Sequence, residues 1–388
     1  MTYYRVLSCP TENPGYSVRL ITSLSAFLLL LALAGCGSNP VQEGARAPEG
    51  SAYGGGGGAG GASRSFANHP AALRFAQTMQ QRHGFEAESV MAILSRAKRE
   101  SWIIAQMDKQ KSKPARVGGP PPVPTGAWNR YRAKFITADN IDKGVAFWNQ
   151  YRSDLQRAAA KYGVPPEIIV GIIGVETRWG RIMGKTRIID ALATLAFAYP
   201  RRADYFTGEL ESFLLMTREE GIDPFQPTGS FAGAMGYGQF MPTAIRRYAV
   251  DFNGDRHRTL WNPVDAIGSV ANYFKGHGWR TGEPVAVRAT AGGPGAGALK
   301  AGFDTKHAPA TLAAAGILPA GSLGGAATVS LLKLDVGSGY EYWLGLHNFY
   351  VITRYNHSTY YAMAVYQLGN AVKARVGGLD GTRVAAVP

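Results

Sequence analysis

Cysteine is almost missing from this chain of 388 residues, which carries only Cys9 and Cys36. That scarcity excludes a disulfide-stapled scaffold and any cysteine-built zinc, haem or iron–sulfur centre. Acidic residues are also few, 27 against 41 lysines and arginines, and the net charge of +14 favours an anionic partner such as nucleic acid, a membrane surface or an acidic polymer. The apolar run near the start, residues 24–34, falls short of the ~20 residues that span a bilayer. What is abundant is apolar: 46% hydrophobic against 18% charged residues excludes wholesale disorder and allows a sizeable core. The length fits two or three domains, or one with insertions.

Arg5 and Arg19 precede the apolar run and Gly35-Cys36-Gly37-Ser38-Asn39-Pro40 follows it, the layout of a secretory signal over residues 1–35. Leu33-Ala34-Gly35-Cys36 resembles the bacterial lipobox. The resemblance implies that Cys36 is lipidated and becomes the mature amino terminus. Gly37 rather than aspartate after it implies sorting to the outer membrane, facing the periplasm. An ordinary signal with an incidental Cys36 is the plainer alternative. Residues 36–65, with Gly54 to Gly58, Gly60 and Gly61, read as a flexible tether, because they bury too little apolar surface to offset ordering. An exported, anchored, basic protein argues against nucleic acid and for anionic peptidoglycan strands as partner, with the membrane held through the lipid.

Residues 66–160 show helical spacing at 71–79 and 89–94, a proline-rich loop over 111–124, and a helix over 144–151 that runs on toward residue 160. Residues 161–280 hold the densest motifs. Residues 281–340 read as a small β-containing insertion with strands at 284–288 and 327–332; the Gly/Ala-rich stretch 291–325 between them leaves a plain loop open. The run from Tyr340 to Thr353 leads to a final helix over 358–374, within a segment 341–376, and a tail follows over 377–388. The expected fold class is mainly α with a minor β element (α+β).

Pro165-Pro166-Glu167 is a strong helix start, since first-turn amides lack intrahelical acceptors and an acid suits the positive helix end. The helix that follows is apolar nearly all round and should be buried. Glu176 is out of place on it, with Ile172, Ile173 and Trp179 on its face. Burial raises a carboxyl pKa, the preparation a general acid needs near neutral pH. Spacing leaves a second reading open: a buried glutamate neutralised by Arg178, Arg181 or Arg187.

The text from Val164 to Gly180 closely resembles the membrane-bound lytic murein transglycosylase B family. So do Tyr199-Pro-Arg-Arg202, the stretch from Gly229 to Pro242 (GSFAGAMGYGQFMP) and Tyr355-Asn-His-Ser-Thr-Tyr-Tyr361. The match covers about Trp128 to the last helix. It implies a lysozyme-like helical catalytic core with Glu176 as the single catalytic glutamate. In the implied reaction Glu176 protonates the oxygen between N-acetylmuramic acid and N-acetylglucosamine. The substrate's own acetamido group supports the anomeric centre. The carboxylate then takes a proton from the muramyl C6 hydroxyl, closing a 1,6-anhydro ring without water. Most glycosidases use two carboxylates instead.

The same resemblance implies substrate contacts at Ser230 and Gln239 in the glycine-rich loop, and at Tyr131, Tyr273, Tyr355, Asn356 and Tyr361. Aromatics at helical spacing are more often core. A phosphate-binding reading of the loop fails, because no lysine and Ser/Thr pair follows its glycines. Arg201 and Arg202 match a pair suited to muramyl carboxylates, with a solvated basic pair as the alternative. Asp251, Asn253 and Asp255 stand at positions one, three and five of an EF-hand-like loop over 251–265, and His257 offers a carbonyl at seven. Position six is Arg256 instead of glycine and position twelve is Asn262 instead of glutamate. The family supplies a late ligand at the position of Asp265. A structural Ca²⁺ (or Na⁺) is the expectation and a metal-free Asx turn the alternative; the chemistry needs no cofactor. The function expected is a lytic transglycosylase of peptidoglycan that meets cell-wall synthesis or divisome proteins. A hydrolytic muramidase and a non-catalytic peptidoglycan-binding lipoprotein are the rivals.

Overall fold

The computed structural model describes residues 65–109 and 123–385. The expected signal, Cys36 with its lipid, most of the tether, and most of the proline-rich loop lie outside the described residues. Three helices come first: α1 (Pro70–His83), α2 (Ala87–Arg96) and α3 (Ser101–Lys109). Next are α4 (Ala127–Arg132), α5 (Ala138–Gln150), capped by the Thr137 side chain, and α6 (Arg152–Tyr162). The single helix expected over 144–160 is thus two. Tyr151 leaves helical conformation at φ −112°, and its ring packs 4.8 Å from that of Phe147. No glycine or proline marks this break, so the packing that makes it was not readable from spacing.

The central elements are α7 (Pro166–Thr177), β1 (Thr186–Arg187), α8 (Ile188–Ala198), α9 (Ala203–Glu219), β2 (Thr228–Gly229), α10 (Pro242–Tyr248) and α11 (Pro263–Gly276). A four-stranded antiparallel sheet follows, made of β3 (Ala286–Ala291), β4 (Ile317–Pro319), β5 (Ser330–Asp335) and β6 (Tyr340–Gly345) in the order β4-β3-β6-β5. The stretch 291–325 is therefore not a plain loop: it holds α12 (Pro309–Ala314) and β4. The two expected strands sit a few residues downstream of 284–288 and 327–332. The run from Tyr340 forms β6 before α13 (His347–Tyr355) and α14 (Thr359–Ala385), so the sheet extends past the expected boundary at 340. Alternation explains the sheet's placement. Leu331 and Leu344 join Leu312 and Ile317 in a small core, while Leu332 and Leu334 face the main helical core.

At the centre, α7 is buried from Ile168 through Thr177 and packs along α14. Glycines set the closeness of that crossing: a Cβ on Gly369 would stand 1.9 Å from the Glu167 carbonyl oxygen, and one on Gly171 would stand 2.4 Å from that of Val365. The sheet is tied to α4 by Asp335. Its carboxylate accepts the amides of Thr125, Gly126, Ala127 and Gly337 at 2.8–3.2 Å. Partial burial works against its charge, but those amides outweigh it and hold the carboxyl down at about 2.

Candidate active site

Glu176 ends its helix under strain. Arg178 and Trp179, directly after Thr177, both take left-handed backbone at φ 50° and 56°. Gln239, in the glycine-rich loop, does so at φ 51°. Such geometry costs non-glycine residues about 1–2 kcal/mol each, so surrounding contacts must impose it. The Thr177 hydroxyl is one of them. It lies 3.1 Å from both the Ile173 and Tyr237 carbonyls and accepts the Gly180 amide at 2.9 Å, locking the end of α7 to the loop.

The Glu176 side chain is 3% exposed. Oε1 accepts a hydrogen bond from the Tyr361 hydroxyl at 2.5 Å, and Oε2 is buried with no partner among the described residues. Burial pushes the carboxyl up to about 7, against the opposing pull of the Tyr361 hydroxyl. No arginine is among the groups that perturb Glu176, and Arg181 acts on Asp139 instead. Arg187 binds Asp190 at 2.7 Å and Arg178 donates to the Lys134 carbonyl. No acidic neighbour is among the groups that perturb Glu176.

Aromatic rings surround this pair. Tyr355 lies parallel to Tyr361 with centroids 6.5 Å apart and donates its hydroxyl to the Gly238 carbonyl at 2.5 Å. Tyr273 packs 4.8 Å from Tyr355 and donates to the Arg354 carbonyl. Burial raises the hydroxyl pKa of all three tyrosines, so they remain neutral donors. Tyr131 stacks on Trp128 near the end of α4, with its ring 5.8 Å from that of Tyr360. Gln239 donates through Nε2 to the carbonyls of Met183 and Gly236, leaving Oε1 buried without a partner among the described residues. Ser230 is buried and accepts the Ala234 amide at 2.9 Å; Asn356 is buried just after α13.

Arg201 and Arg202 lie in a short turn after α8. Arg202 lies 4.3 Å over the Tyr205 ring, and Arg201 is exposed. Sequence reading passed over Thr177 and Tyr360; the latter packs on Trp128 and Tyr131, and its hydroxyl accepts the Asp335 amide. Glu209 was also missed. It is a second buried carboxylate, raised by desolvation, but both its oxygens are engaged by the Thr243 amide and hydroxyl at the start of α10.

In the EF-hand-like loop, Asp251 accepts the amides of Gly254, Asp255 and Arg256, and Arg256 is left-handed at φ 72°. Asn253 Nδ2 donates to Asp255 at 2.8 Å, and the Asp255 amide returns a bond to Asn253 Oδ1. The Asp255 carboxylate also accepts the His257 amide. Asp265 is fully buried and accepts the amides of Phe252, Asn253 and Thr259. Among the described residues no three His, Cys, Asp or Glu side chains converge as a metal site. The donor set of Asp251, Asn253 and Asp255 is all hard oxygen and solvent-facing, which fits a Ca²⁺-like cation. Asp265 is engaged in closing the loop.

A family profile described as the Transglycosylase SLT domain matches residues 67–370. The chain belongs to this family. Over 307 residues, 79% of this chain and 84% of the relative, it is 62% identical to the membrane-bound lytic murein transglycosylase B of Escherichia coli (strain K12). Structures of the Escherichia coli lytic transglycosylase Slt35, one with calcium and one with bulgecin A, superpose with TM-score 0.75 at 60% identity, covering 80% of this chain and 95% of theirs. SltB3 from Pseudomonas aeruginosa, in complex with NAG-anhNAM-pentapeptide, gives 0.67 at 27% identity over 80% of each chain. The mostly helical fold is that of these lysozyme-like transglycosylases, and membership of the family makes the chain a lytic transglycosylase.

Proposed function

We propose that Glu176 alone carries non-hydrolytic cleavage of the MurNAc-β-1,4-GlcNAc bond of peptidoglycan, as acid and then as base. The observation that carries this reading is a buried carboxyl poised at about 7 with one free oxygen and no acidic neighbour. Because burial raises its pKa toward neutrality, one side chain can first give a proton and then take one. Protonated Glu176 donates to the glycosidic oxygen, and the C–O bond to the muramyl anomeric carbon breaks. The substrate's acetamido oxygen supports that carbon. Glu176 then accepts the C6 hydroxyl proton as C6–O closes on the anomeric carbon. Tyr361 keeps the carboxylate from becoming too basic, and Gln239 Oε1 is available to a substrate N–H or O–H. A hydrolase on the same core would use the Glu176 carboxylate to activate a water in place of the C6 hydroxyl, so the product separates the two reactions. The anhydromuramyl ligand named for SltB3 agrees with the ring-closed product.

Ser230, Asn356, Tyr131, Tyr273 and Tyr355 line the glycan path in this reading, and Arg201 and Arg202 meet substrate carboxylates at its periphery. Asp251, Asn253, Asp255, the His257 carbonyl and the late ligand Asp265 hold a structural Ca²⁺, as the calcium complex of Slt35 suggests. Cys36 anchors the chain by lipid to the outer membrane, in keeping with the membrane-bound relative. The test is digestion of purified sacculi with the wild type and with Glu176→Gln in ¹⁸O-labelled water. Expected are 1,6-anhydromuramyl ends without label, absent for the variant. Labelled reducing ends would establish hydrolysis, and equal activity of the variant would remove Glu176 from the reaction.

A further inference from the structure

A cavity of about 270 Å³ opens beside the catalytic cluster, between α10, α11 and α13. Its walls are aromatic: Tyr248, Tyr273 and Tyr355. At its buried end stands Gln239, whose Oε1 lacks a partner among the described residues. At its outer end stands Arg247, in the last turn of α10. The neighbouring Arg246 is spent on Glu219 at 2.8 Å. Arg247 instead lies exposed, 5.2 Å over the Tyr248 ring, and among the described residues no carboxylate pairs with it. No acidic side chain lines the cavity. His277 stacks 4.0 Å from Tyr273 with Nδ1 on the Tyr273 carbonyl; burial lowers its pKa against the pull of that carbonyl, and the cations of Arg247 and Arg354 add to the lowering.

An acceptor at one end, rings along the sides and an unpaired guanidinium at the other match an N-acetylated sugar with an anionic arm. We propose that Arg247 is a specificity residue that binds a carboxylate on the C3 arm of a muramyl residue seated in this cavity. Guanidinium forks suit carboxylates, and the lactyl group and the stem peptide both carry that chemistry. The proposal rests on the glycan-cleaving reading above and adds to it a charge requirement.

Three substrates separate the outcomes: intact peptide-bearing strands, amidase-treated strands with free lactyl carboxylates, and the latter converted to neutral methylamides. For a solvent-exposed pair the expected gain in kcat/KM of the wild type on a charged strand over the neutral one is roughly two- to fivefold, carried by KM. Preference for intact strands assigns the carboxylate to the peptide; preference for amidase-treated strands assigns it to the lactyl group. Arg247→Gln should lose that gain, so that its kcat/KM is the same on charged and neutral strands, and Arg247→Lys should recover most of it. Equal losses on all three strands, or none, would overturn the proposal while leaving cleavage intact. Absence of anhydro ends from every substrate with the wild type would remove both this inference and the function it rests on.

Discussion

Replacing Tyr361 by phenylalanine deletes one oxygen and should move the pH at which activity is lost. In the native site burial raises the Glu176 carboxyl to about 7, and the Tyr361 hydrogen bond at 2.5 Å opposes that rise. A neutral hydroxyl donates more strongly to the carboxylate than to the acid, so its loss destabilises the charged form and raises the pKa further. A hydrogen bond to a charged group is worth about 1.5–3 kcal/mol, which corresponds to roughly 1–2 pH units. The first proton transfer needs Glu176 protonated, so the alkaline limb of kcat/KM follows this pKa. It should stand near the native value in the wild type and about 1–2 units higher in Tyr361→Phe. Initial rates of anhydromuropeptide release from sacculi, measured across the pH range on both proteins, give the limb directly. Lost sugar contacts would lower the plateau without moving the limb. An alkaline limb that stays in place, or moves down, in a folded variant would refute the assigned balance of burial and hydrogen bonding.

Glu176→Gln should stabilise the protein at alkaline pH. A carboxyl raised from 4.5 to about 7 makes the folded state lose stability as pH climbs through that window, by about 3 kcal/mol once both states are ionised. Calorimetry should therefore show a higher Tm for the variant at pH above 8 and little difference near pH 4; the reverse order would contradict the burial. Gly369→Ala should cost about 1–3 kcal/mol or more in denaturant titrations, because its methyl meets the Glu167 carbonyl where α7 and α14 cross. Calcium at roughly millimolar concentration should raise Tm, and Asp251→Asn should cancel that rise. Chelation should leave the anhydro product unchanged, whereas loss of catalysis on chelation would give the ion a chemical role.

The sequence by itself determined the burial of α7, since an apolar helix opened by Pro165-Pro166 can only sit inside, and it singled out Glu176 as the residue that does not belong there. Local signals of this kind survive folding because they concern a single element. The position of Tyr361, 185 residues away, is not a local property. Tertiary packing alone brought α14 across α7 at Gly369 and Gly171 and left Oε2 without a partner. It also sent Arg178 to the Lys134 carbonyl and Arg187 to Asp190, away from Glu176. The sheet shows the same division. Alternation announced strands near 284 and 327, but β6 and β4 lay in aromatic and glycine-rich text with no period of their own. They are strands because Leu344 and Ile317 complete a core whose other half comes from β5 and α12. Periodicity shows which face of an element must be covered; only the folded chain determines what covers it, and therefore which charges remain unpaired.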